Sequence, residues 1–135
     1  MTTHQKRIEL SKYRLQQSRD CIDEALHLLE GGKNPRSVMN RIYYYMFYAV
    51  LALIVFEEYS SSKHSGVISF FNRKFVKNNV FPKEFGRSLM KAFELRQIGD
   101  YREYKDLSIQ EVTPFIDVAK DFVKEVEEYL VNEKF

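Results

Sequence analysis

The sequence predicts an all-α protein, an up-and-down bundle of about five helices forming one domain over residues 1–135. Three observations carry that expectation. Apolar residues recur at three- and four-residue spacing over long stretches, the period of a helix that buries one face. Glycine and proline number only 5 and 3, and most of them fall between the periodic stretches, where breakers belong. No run alternates apolar and polar residues as a half-buried strand does.

The first helix is expected from about residue 3 to Glu30, with Leu15, Ile22, Ala25, Leu26 and Leu29 facing inward. The stretch GGKNP ends it, glycines first and a proline after them. A second helix starts near Pro35–Ser37, proline being tolerated in a first turn, and runs to about Tyr59. After Arg41 it is apolar nearly all round, so it belongs at the centre of the bundle. Its segment YYYMFYAVLALIVF spans residues 43–56, short of the ~20 residues a membrane-spanning helix needs. A buried helix is therefore expected here, not a membrane span.

The third helix is expected from Lys63 to Lys77, carrying Val67, Ile68, Phe70, Phe71 and Phe75, before NNVFP breaks it. The fourth runs from Lys83 to Ile98, with Phe85, Leu89, Ala92 and Phe93 forming its apolar stripe. A loop, GDYREYKDL, follows. The last helix occupies most of Ser108 to Val131, its inner face marked by Phe115, Val118, Phe122, Val126 and Leu130. Two starts compete for it. Ser108 with Glu111 makes a capping box, and Thr113–Pro114 makes an equally good cap and first turn.

Charge is unevenly distributed. Between Lys63 and Arg102 nine Lys/Arg face three Asp/Glu, a net +6, while the chain from Glu103 onward carries −5. A basic middle segment suits RNA or nucleotide phosphates. Charged helical surfaces that offset one another when packed explain it as well. The first thirty residues are polar and charged, unlike a signal peptide, and the single Cys21 has no disulfide partner in the chain. A cytoplasmic location is expected from both. The histidines His4, His27 and His64 are scattered without metal-ligand spacing, so no metal and no cofactor is expected.

Three places hold residues that carry chemistry. Arg96 is the next position on the apolar stripe of the fourth helix. A guanidinium there must pair, reach water or face a partner. Asp100 lies one turn further on, and Tyr101, Arg102 and Tyr104 follow it. A local Arg96–Asp100 salt bridge is the plain structural reading. A cation, a carboxylate and phenols that position a phosphodiester is the functional one. In the second helix Arg41 precedes Tyr43, Tyr44 and Tyr45, whose hydroxyls seek partners wherever they are buried. Lys63 and His64 open the third helix, where unpaired N–H groups favour an anion.

The stretch NRIYYYMFYAVLAL, followed by KHSGVISFFNRKFVKNNVFPKEFGRSLMKAFELRQIGDY, resembles the HEPN family. More narrowly, it is similar to the small stand-alone prokaryotic branch often encoded beside a minimal nucleotidyltransferase. The resemblance covers about residues 5 to 130. It implies a helical bundle that dimerises and brings an arginine-centred motif from each subunit to a shared cleft. Many members are metal-independent ribonucleases, and some act as toxins held in check by the nucleotidyltransferase. Their motif is an arginine, four to six residues, then a histidine.

The arginine corresponds to Arg96, but no histidine lies between Gln97 and Glu103. The branch form Arg-x-x-x-Asp-Tyr is matched instead by Arg96, Asp100 and Tyr101, which the resemblance marks as the catalytic set. Nucleotide or RNA contacts are expected from Arg41, Tyr44, Lys63, His64 and Arg102. The resemblance also implies that Tyr101 or Tyr104 is the acceptor if the partner adds a nucleotide. The expected function is a homodimeric subunit that acts with a minimal nucleotidyltransferase and binds nucleotide or RNA at Arg96. The alternatives are an active metal-independent endoribonuclease and a purely structural helical dimer.

Overall fold

A computed structural model describes the backbone of residues 1–101 and 106–135, and the side chains of these residues except 98–101. Its elements are α1 (Thr3–Glu30), α2 (Pro35–Ile54), α3 (His64–Phe71), a π-helical turn (Asn72–Val76), α4 (Lys83–Tyr101), α5 (Ile109–Val112) and α6 (Pro114–Glu133). The bundle is all-α, as the periodicity predicts.

Local chemistry sets the ends of these helices. Thr2 and Gln5 form a reciprocal capping box that starts α1. At its other end Gly32 adopts φ +64°, a conformation glycine reaches without a Cβ penalty. The Lys33 N–H donates to Leu28 O at 2.9 Å and the Gly32 N–H to Leu29 O at 3.1 Å. This pair of bonds is a Schellman cap, and it satisfies carbonyls the helix itself leaves open. Asn34 then caps α2, its side chain accepting from the Arg36 N–H at 2.9 Å, with Pro35 in the first turn.

α2 is the central helix. Val38, Met39, Ile42, Tyr43, Met46, Ala49, Val50 and Ala52 are all fully buried, and α1, α4 and α6 pack around them. The long antiparallel contact with α1 is keyed by two buried serines. Ser11 Oγ donates to Ala52 O at 2.9 Å, and Ser18 Oγ donates to Tyr45 O at 2.6 Å. Both bonds fall at one register, so the small side chains let the backbones approach while their hydroxyls are satisfied.

Four expectations about the elements need correction. α2 stops at Ile54 rather than Tyr59. Glu57 and Glu58 lie just beyond, where the negative end of the helix dipole disfavours carboxylates. The third segment is not one α-helix. After Phe71 it widens into the π turn, whose Lys77 N–H donates to Asn72 O, five residues back, at 2.8 Å. α4 runs to Tyr101, past the expected end at Ile98, because a single glycine costs a helix only about 1 kcal/mol. Of the sequence-expected inner face of α6, Val118 is exposed, and Ile116, Ala119 and Val123 are buried beside Phe122, Val126 and Leu130.

The ambiguous start of the last helix is resolved by a division. Ser108 and Glu111 form their capping box on the short α5, and α6 begins separately at Pro114. Among the described residues no helix is long and apolar enough to cross a membrane.

Candidate functional site

The site is built where α2, the start of α3 and α4 meet. Tyr43 of α2 is fully buried, and its phenol needs a partner. That partner is His64, the first residue of α3, whose Nδ1 lies 2.7 Å from Tyr43 Oη. The His64 ring stacks on Phe47 at 4.2 Å with an interplanar angle of 8°. It meets Tyr44 edge-on at 5.6 Å and Phe93 of α4 at 6.4 Å. Aromatic rings thus fix the imidazole on several sides, yet it remains partly exposed.

Arg96 reaches the same group from α4. Its guanidinium carbon lies 5.5 Å from the Tyr43 ring centroid and 5.3 Å from that of Tyr44. Arg41 sits 5.2 Å from the same Tyr44 ring. It also donates to Asn40 Oδ1 at 2.7 and 3.1 Å and pairs with Glu24 at 3.6 Å. Two guanidinium groups therefore lie near one tyrosine ring, within the range of cation–π attraction.

The electrostatics follow from that packing. Burial lowers the His64 pKa below its usual 6.5, and the Arg96 charge lowers it further. The imidazole is therefore neutral near pH 7 and keeps a lone pair. Burial pushes the Tyr43 phenol well above its ordinary range, against the opposing pull of Arg96. Tyr43 stays protonated as a hydrogen-bonding group. A neutral imidazole beside a permanent cation supplies a proton acceptor and an anion-binding group at one place.

The sequence-expected site residues divide accordingly. Arg96, Arg41, Tyr44 and His64 are brought together. Lys63 is exposed at the N-cap of α3, next to His64. The Asp100 and Tyr101 side chains, and Arg102 and Tyr104 altogether, lie outside the described residues. Tyr43, Phe47 and Phe93 belong to the site but were not singled out from the sequence. The tyrosine run was the available signal, yet sequence alone does not say which hydroxyl turns toward α3. Cys21 is the buried bystander its helical position suggests. Burial raises its thiol to about 11, against Arg41, whose guanidinium lies 3.7 Å from the sulfur.

Similarity to known proteins converges on one family. The profile of the HEPN domain matches residues 11–129. A UPF0332 protein of Thermotoga maritima is 40% identical over 128 residues, 93% of this chain and 95% of that protein. A candidate toxin of Methanocaldococcus jannaschii, MJ0142, is 32% identical over 94 residues, 70% of this chain and 64% of that protein. A second candidate toxin of the same organism, MJ0605, is 31% identical over 108 residues, 76% of this chain and 81% of that protein.

Proposed function

The chain belongs to the HEPN domain family, and from that premise we propose that it binds RNA or nucleotide phosphate at an Arg96-centred site. The protein acts as a homodimer that presents Arg96 to a shared cleft, and it works alongside a minimal nucleotidyltransferase in a toxin–antitoxin-like pair. One observation carries this reading: Arg96 and Arg41 converge on the Tyr44 ring. Arginine forks match phosphate oxygens bidentately, and phenol rings offer a base a stacking surface. The toxin names of two relatives support the same direction.

Arg96→Ala removes one charge-assisted contact, so affinity for short RNAs or nucleotides falls roughly tenfold or more. Purified protein should size as a dimer by light scattering under the same conditions. A folded Arg96→Ala variant with unchanged affinity, or a stable monomer at micromolar concentration, overturns the reading.

The position of His64 favours a second reading, metal-independent RNA cleavage. The family's motif histidine is absent after Arg96, and His64 supplies a neutral imidazole beside that arginine from another segment. With its Nδ1–H donating to Tyr43 Oη, His64 takes the proton of a ribose 2′-hydroxyl on Nε2, and the 2′-oxygen attacks the adjacent phosphorus. The bond to the 5′-oxygen breaks and that oxygen takes a proton from water, whose hydroxide recovers a proton from the His64 imidazolium, leaving a 2′,3′-cyclic phosphate and a 5′-hydroxyl. Arg96 holds the phosphoryl oxygens, while the Tyr43 contact fixes the imidazole. Cleavage in chelator should produce cyclic phosphate ends and be lost in both His64→Ala and Arg96→Ala. Cleavage that persists in folded His64→Ala removes this reading and leaves the binding reading standing.

A further inference from the structure

α4 has a second functional face, turned away from Arg96. Arg87 lies nine residues before Arg96, about two and a half helical turns, so the two side chains leave α4 in opposite directions. On the Arg87 side a groove of about 630 Å³ runs between α4 and the π turn, lined by Asn72, Val76, Lys83, Arg87, Met90 and Lys91. It continues into a concavity of about 530 Å³ that adds Arg73 and Lys77 and shares Asn72, Val76 and Lys83. The two form one channel.

Its walls and floor differ in kind. Lys83, Arg87 and Lys91 follow one another at four-residue spacing along one wall, and Arg73 and Lys77 do the same along the other. Against these five cations stands one acid, Glu94. None of the five enters an ion pair among the described residues. The floor is aliphatic, with Val76 and Met90, the latter 38% exposed. Met90 is an adaptable apolar contact.

Two backbone features keep the floor open. The π turn sets Asn72 against Gly86, where a Cβ would collide with Asn72 Oδ1. That oxygen is buried and finds no hydrogen-bond partner among the described residues. A buried acceptor of this sort is uncommon in a finished structure. A π turn inside a helical segment is itself frequent at functional sites.

We infer that this groove docks an acidic amphipathic helix from a partner protein. The partner's apolar stripe lies on Val76 and Met90, and its carboxylates meet the two cationic walls. From Lys83 to Lys91 α4 advances about 12 Å, a little over two turns, enough for an i, i+3, i+4, i+7 set of anchors. Charge complementarity selects the partner's sign. Single-stranded RNA fits less well, because no aromatic ring lines either part of the channel, whereas RNA grooves grip bases by stacking.

The test uses a fluorescein-labelled 16-residue peptide of Leu and Glu, with Leu at i, i+3, i+4 and i+7, a scrambled peptide of the same composition, and a single-stranded RNA. Binding is read by anisotropy against wild type, Arg87→Glu/Lys91→Glu, Met90→Asp and the charge-matched control Lys6→Glu/Arg7→Glu on exposed α1. The ordered peptide should bind at least tenfold more tightly than the scrambled one. That preference should vanish in the Arg87/Lys91 and Met90 variants and survive in the control. Equal binding of the two peptides overturns the inference. So does equal loss in the control, or an Arg87/Lys91-dependent affinity for RNA that exceeds the peptide's. Dissociation of a homodimer by Arg87→Glu/Lys91→Glu also overturns it, since the occupant is then a second copy. Retention of native circular dichroism in each variant keeps these outcomes interpretable.

Discussion

The His64 imidazole lies against Phe47 and Tyr44 with Arg96 close by, and burial and charge act on it in the same direction. Its folded pKa lies below 6.5, so in the window below that value the unfolded chain binds more protons at this residue than the folded one. Stability therefore falls as pH drops through 6.5 and is unaffected by this group well above it. Thermal melts at about pH 7.5 and about pH 5 should show a smaller loss for His64→Gln than for wild type. Equal losses would mean that the aromatic cage does not disfavour the imidazolium. The residue-scale logic was partly legible in the sequence. Arg96 stood out because a permanent charge continued the stripe of Phe85, Leu89, Ala92 and Phe93. His64 was legible only as a helix-start candidate for an anion contact; its pairing with Tyr43 joins segments distant in sequence, and local spacing carries no trace of it.

At the scale of elements, the helices were readable wherever one stripe of side chains decides burial, and less so where polar residues do. Leu15, Ile22 and Ala25 are inside as their spacing predicts. Ser11 and Ser18 are fully buried beside them, which no hydrophobic pattern announces. They are inside because each hydroxyl meets a carbonyl of α2. Ser18→Ala should lower the unfolding free energy by about 1 kcal/mol, the net worth of one buried hydrogen bond. Ser18→Leu should cost more, since the added volume forces α1 and α2 apart. Urea unfolding of both variants measures the difference, and a Leu variant as stable as the Ala variant would show that the register tolerates separation. The π turn was equally hidden, because Phe71 before it and Phe75 within it also fit an α-helix. What separates the two is backbone bonding to the residue five back, as from the Lys77 N–H to Asn72 O.

Across the whole molecule, α4 divides the work. One face carries Arg96 into the aromatic cluster with His64, and the other carries Lys83, Arg87 and Lys91 along an open groove. The basic middle segment seen in the sequence therefore serves two surfaces, which net charge alone does not separate. The family and the helical frame were legible, because long periodic helices in a set order are what a sequence displays best. The chemistry of the site was less so, since it depends on side chains that only folding brings together. The central claim is that Arg96 marks the anion-binding site. Equilibrium titration of a short single-stranded RNA against wild type and Arg96→Ala, over a series of salt concentrations, tests it most directly. A folded variant should bind roughly tenfold or more weakly, with a salt slope shallower by about 0.7, one phosphate contact on a single strand. A folded variant with wild-type affinity and an unchanged slope would contradict it.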